Sequence, residues 1–120
     1  MTDKTKGILV CGSPYFTDRD AIQEILQERV TNGSIVYTFR QDGACYITEI
    51  WARSRRVPCY AFPLPASVPK RQALVLELVS IVDEVVLFGG EDDAMVRYVF
   101  RLARLAKRTM YCVGFTKIPE

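Results

Sequence analysis

Histidine does not occur anywhere in the 120 residues. Its absence excludes Ser–His and Cys–His nucleophile pairs, the usual histidine-containing zinc sites and a histidine general base. Any chemistry therefore has to run on carboxylates, hydroxyls, thiols, amines or a bound cofactor. Cysteine is scarce: Cys11, Cys45, Cys59 and Cys112 include no Cys-x-x-Cys pair, which argues against a structural zinc or a disulfide framework. Cys11, Cys59 and Cys112 fall inside apolar, strand-like runs, where a thiol acts as a small hydrophobe rather than a nucleophile. No apolar run approaches the ~20 residues needed to span a bilayer, and no leader with a cleavage site opens the chain, so a cytoplasmic protein without membrane contact is expected. A marked excess of one charge is missing too: the net charge of +2 is small for a nucleic-acid binder.

What is present is an alternation of strand-like and helix-like segments. Ile8-Leu9-Val10-Cys11 is apolar without polar alternation, as in a strand buried on both faces of a parallel sheet, and Gly12-Ser13 ends it. Thr17 with Asp20 forms a capping-box pattern, and Ile22, Ile25, Leu26 and Val30 follow at helical spacing until Asn32-Gly33. The β-branched and aromatic run 34–39 predicts a second strand. A helix then opens at Gly43-Ala44, with Ala44, Ile47, Ile50 and Trp51 toward the sheet, and closes before Val57-Pro58. A short strand over 59–62 precedes a loop marked by Pro63, Pro65 and Pro69. A helix over 70–81, a strand over 84–88 ending in Gly89-Gly90, a helix over about 92–107 and a strand over 109–113 complete the chain. The fold class predicted is α/β, a Rossmann-like three-layer sandwich with a mainly parallel five-stranded sheet. It forms a single domain over 1–120, with residues 1–6 as a flexible N-terminus.

In such sheets ligands bind beyond the carboxyl ends of the strands, where the strand order reverses; with order 3-2-1-4-5 that point lies between strands one and four. The rule joins Gly12-Ser13 to Gly89-Gly90. Gly12 and Ser13 there read as a phosphate cradle beside a helix start, and Gly89 and Gly90 as residues permitting close backbone approach. In the loop above, the Tyr15 and Phe16 rings are placed either to stack on a base or to form a hydrophobic lid over the core, with Tyr15 assigned to the base or ribose.

Several stretches together resemble the YspA-like branch of the SLOG superfamily. They are Gly12-Ser13-Pro14-Tyr15-Phe16-Thr17-Asp18, Gly43-Ala44 before Trp51-Ala52-Arg53, Pro69-Lys70-Arg71, and Asp83-Glu84-Val85-Val86-Leu87-Phe88-Gly89-Gly90. The likeness runs from residue 7 to about 113. It implies a Rossmann-like fold and a nucleotide or nucleotide-derived ligand, with Gly43 in the second binding loop and Lys70 and Arg71 supplying positive charge. The chain departs from the family pattern at three loops. Pro14 stands where the first loop has arginine, Phe39-Arg40 and Cys45 stand where the second loop's Gly-Gly-x-x-Gly-Ala-Asp has its first two glycines and its aspartate, and Glu91-Asp92-Asp93 replace Gly-Thr in the fourth loop. The superfamily's LOG enzymes hydrolyse N-glycosidic bonds with a Pro-Gly-Gly-x-Gly-Thr-x-x-Glu motif. Here Phe88 replaces the proline, and Met95 or Val96 occupies the glutamate position. The sequence thus implies ligand binding or sensing without an assigned catalytic residue, metal or cofactor. A protein-interaction or oligomeric scaffold with a vestigial pocket is the alternative, and a LOG-like hydrolase a further one.

The last helix carries two apolar stripes. Val96, Val99, Phe100 and Ala103 suit the sheet. Met95, Tyr98, Leu102 and Leu105 need another cover, either a neighbouring helix or a second subunit, and a homo-oligomer is expected. Arg97, Arg101, Arg104 and Arg108 form a basic line on the same helix. Without interleaved exposed aromatics this line reads as a solvated face rather than a nucleic-acid surface.

Overall fold

The computed structural model describes residues 5–116. Strands and helices alternate as β1 (Lys6–Gly12), α1 (Arg19–Arg29), β2 (Ser34–Phe39), α2 (Ala44–Ser54), β3 (Cys59–Phe62), α3 (Val68–Ile81), β4 (Glu84–Phe88), α4 (Ala94–Leu105) and β5 (Thr109–Val113). Every neighbouring pair of strands is parallel, in the order β3-β2-β1-β4-β5. Successive side chains of a strand point to opposite faces. Ile8, Val10, Val86 and Phe88 therefore pack against Ile22 and Leu26 of α1 and Trp51 of α2. On the other face, Leu9, Cys11, Val85 and Leu87 meet Val75 and Val79 of α3 and Val99 and Phe100 of α4. Both central strands are buried on both sides, which is why their sequences do not alternate. The product is a Rossmann-like three-layer sandwich.

Local chemistry moves several boundaries. α1 is capped by Asp18 rather than Thr17: the Asp18 carboxylate accepts from the Ala21 N–H at 3.1 Å, and a carboxylate suits the positive end of the helix dipole. Pro69 belongs to α3 instead of the preceding loop. Ser67 caps that helix, and a proline is tolerated in the first turn because its missing N–H has no intrahelical partner to lose. Ile50 turns away from the sheet and is 38% exposed, while Thr48 is buried. Of the expected N-terminal segment, residues 1–4 lie outside the described residues, and Lys6 already belongs to β1.

The amino end of the sheet is locked by charge. Glu84, 7% exposed at the start of β4, accepts from Arg29 Nε and Nη2, both at 3.1 Å, and pairs with Lys6. The Arg29 guanidinium also lies over the Tyr111 ring of β5, 4.5 Å from its centroid. Burial alone would raise the Glu84 pKa, but the hydrogen bonds and charges of Arg29 and Lys6 outweigh it and hold the carboxyl below its ordinary value. β1, β4, β5 and the end of α1 are thereby tied together at the pole opposite the strand carboxyl ends.

Candidate switch-point site

At the carboxyl pole, β1 and β4 separate from the helices that follow them on opposite faces, and their loops meet. Gly12 pairs with Phe88, and the Ser13 N–H donates to the Phe88 carbonyl at 3.0 Å. The chain then turns sharply: Phe16 N–H donates to the Ser13 carbonyl at 3.1 Å, and Tyr15 N–H to Ser13 Oγ at 3.1 Å. This turn sends the two neighbouring aromatics in opposite directions. Tyr15 is 90% exposed. Phe16 folds inward, its ring 5.6 Å from that of Phe88 and against the Cα positions of Gly89 and Gly114. A Cβ on Gly89 would lie 2.9 Å from the Phe16 ring, and one on Gly114 2.6 Å, so these glycines make the space that the ring fills.

β4 continues into Gly89, whose N–H donates to Val113 of β5 at 2.7 Å, and Gly90, where φ is +78°. A Cβ on Gly90 would stand 3.1 Å from the Ser13 nitrogen and 2.9 Å from Val96 Cγ2. The two loops are thus in contact through Ser13 and Gly90, as the strand order requires. Between them opens a crevice of about 390 Å³ lined by Ser13, Tyr15, Gly90, Glu91, Asp92 and Asp93.

The carboxylates of this crevice have different partners. Asp93 caps α4: one of its oxygens accepts from Met95 N–H at 3.0 Å and from Val96 N–H at 3.1 Å. Glu91 accepts from the N–H and hydroxyl of Thr116, at 3.2 and 2.7 Å. Asp92 stands exposed. Among the described residues, no group of three or more His, Cys, Asp or Glu side chains is arranged to hold a metal ion. Two of the N-terminal N–H groups of α4, those of Met95 and Val96, are already taken by Asp93, and in α1 Asp18 takes that of Ala21.

The residues expected at one site therefore divide. Gly12, Ser13, Tyr15, Gly89 and Gly90 gather at the β1–β4 switch point, with Ser13, Tyr15 and Gly90 lining the crevice, while Gly12 faces Phe88 and Ala44 and Gly89 faces the Phe16 ring. Gly43 lies behind the first loop, where a Cβ would sit 2.5 Å from the Pro14 carbonyl oxygen. It supports the loop instead of facing a ligand. Lys70 is exposed in the first turn of α3, and Arg71 lines a separate recess between α3 and α4. Glu91, Asp92 and Asp93 line the crevice although the sequence assigned them no binding role. Their signal was a Gly-Gly strand end followed directly by three carboxylates.

Cys11 lies in the core beneath this pole and is fully buried. Burial, with smaller contributions from Cys45 and Asp93, pushes its thiol well above the ordinary range, so no thiolate is available for attack.

Fold and crevice together define a parallel Rossmann-like domain with a small-molecule-sized cleft at its topological switch point. Comparison with known proteins adds no relative: no family model, curated protein or solved structure matches the chain. Among the described residues no helix is long and apolar enough to cross a membrane.

Proposed function

We propose that the chain binds a nucleoside or nucleotide-derived ligand in the β1–β4 crevice, as a divergent SLOG-type domain. The observation that carries the reading is the convergence of Ser13, Tyr15 and Gly90 on one cleft at the switch point, with a volume in the range of small-molecule sites. The lining refines the ligand class. Carboxylates accept from ribose hydroxyls and repel polyphosphates, so the sugar end of the ligand faces Asp92 while the exposed Tyr15 ring stacks on its base.

A thermal-shift screen of nucleosides, nucleoside monophosphates, NAD and ADP-ribose tests this. A ligand at 100 times its dissociation constant adds about 2.7 kcal/mol to stability and raises the midpoint by several degrees. Tyr15→Ala is expected to leave the unliganded midpoint unchanged, because the ring touches solvent. It should weaken binding about tenfold or more, the size of one base–aromatic stack. No shift with any nucleoside or nucleotide rejects the reading, and release of free base during the screen would favour N-glycosidic hydrolysis over sensing.

A second reading, a homo-oligomer joined through α4, is supported by one observation. Met95, Tyr98 and Leu102 are partly covered by packing onto the core cluster that contains Val75, Leu78 and Val79 of α3, but Leu105 remains 74% exposed. Under this reading Leu105→Glu lowers the mass measured by light scattering to that of a monomer, with the thermal midpoint retained. An unchanged mass removes α4 as the interface.

A further inference from the structure

The sheet ends in two edge strands, and they are defended differently. β3 spans only Cys59–Phe62 and stands between Pro58 and Pro63, and a short strand bounded by proline is guarded against pairing with another chain. β5, Thr109–Val113, contains no proline and no charged residue, and among the described residues no strand pairs with its outer side. The Gly89 N–H donates to the Val113 carbonyl, so Val113, and with it Tyr111 and Thr109 at alternate positions, direct their backbone groups toward β4. Met110 and Cys112 direct theirs outward. Their side chains pack only partly, on the cluster that holds Val99 and Phe100 of α4, while Tyr111 and Val113 project to the other face.

The helix flank beside this edge is basic. Met95 and Tyr98 of α4 line the recess shared with α3. At about 100° per residue, Arg97 and Arg104 fall on the flank of α4 turned away from α3. Because α3 packs over β1 and α4 over β4 and β5, that flank is on the side of the β5 edge. Both arginines are exposed, and among the described residues neither pairs with a carboxylate. Arg108 differs, since its Nε and Nη2 donate to the Val79 and Ser80 carbonyls. An open strand edge next to two unpaired cations fits an extended chain that bonds through its backbone and carries carboxylates on alternate residues. A second copy fits badly: two-fold pairing of β5 with β5 sets α4 against its own image, arginine facing arginine. We propose that the outer edge of β5 is a docking site for an extended acidic segment of a partner protein, added to the sheet as a further strand with its carboxylates toward Arg97 and Arg104.

The test is an NMR titration of the full chain with the peptide acetyl-Thr-Glu-Val-Glu-Val-Glu-Thr-amide, and with its counterpart carrying lysine in place of each glutamate. The backbone amide protons of Met110 and Cys112 are expected to move downfield and to exchange more slowly with solvent, while that of Tyr111, directed into the sheet, keeps its rate. Binding should saturate with a dissociation constant of about 1 mM or tighter, and the lysine peptide should bind at least about tenfold more weakly. The double variant Arg97→Glu, Arg104→Glu should invert that preference and retain the thermal midpoint, because both side chains are exposed. Met110 and Cys112 amides unmoved by the glutamate peptide overturn the proposal without recourse to any variant. So do equal affinities for the two peptides, or an unaltered preference in the double variant. Protection of those amides that grows with the concentration of the chain alone also overturns it, and makes a second copy the occupant.

Discussion

Alanine at Gly43 is expected to destabilise the chain by about 3 kcal/mol or more, the sum of two penalties at one atom. The first is backbone strain: Gly43 holds φ +79° and ψ −135°, a region costing other residues about 1–3 kcal/mol. The second is collision, since the new methyl would lie 2.5 Å from the Pro14 oxygen and 2.6 Å from that of Ser13, and overpacking of this kind costs about 1–3 kcal/mol. Gly33→Ala separates the two effects. Gly33 has a similar φ of +88° but nothing within 4 Å of its would-be Cβ, so it should show the strain alone, about 1 kcal/mol. Urea unfolding of both variants checks the difference. Equal losses would mean that the contact between the first and second loops contributes nothing. Because Ser13 and Pro14 must shift to admit the methyl, Gly43→Ala should also weaken any ligand that needs the Tyr15 loop in place.

The second large effect lies at the opposite pole. Glu84→Ala is expected to cost about 3 kcal/mol, the lower end of the range for breaking a buried ion pair. The lower end applies because the side chains of Lys6 and Arg29 are 31% and 24% exposed and can recover water. For a chain of this size the thermal midpoint should fall by roughly 10 °C. The effect depends on pH in a defined sense. The folded-state pKa of Glu84 lies below the unfolded value, so the stabilisation is fully present above the unfolded carboxylate pKa of about 4.3. It is lost as pH falls through the folded value. The gap between the parent and Glu84→Gln should accordingly be full at neutral pH and narrow progressively in acid. A gap constant from neutral pH down to pH ~3 would show that the carboxylate's charge is not what matters.

The architecture was legible because burial on both faces leaves a direct trace. Ile8-Leu9-Val10-Cys11 and Val85-Val86-Leu87-Phe88 are runs that only a central parallel strand accommodates, and the strand order brought Gly12-Ser13 beside Gly89-Gly90. Helix starts were less legible, since Thr17 and Asp18 are both good caps and only the local turn decides which side chain reaches the Ala21 N–H. Ser67 ahead of Pro69 was a readable helix-start signal masked by its neighbours Pro63 and Pro65. Features that depend on contacts distant in sequence left no local pattern. The support of Pro14 by Gly43, the inward turn of Phe16 onto Gly114 and the meeting of Arg71, Met95 and Tyr98 around one recess all arise from how loops and helices pack.

The Asp93 cap has a consequence for selectivity. Its carboxylate is tethered two and three residues from the N–H groups it occupies, so it acts as an intramolecular competitor at a high effective concentration. An anion arriving at α4 must displace that carboxylate from the Met95 and Val96 N–H groups. This bears on the proposed role, in which the cleft beside it receives its ligand through hydroxyls and a ring.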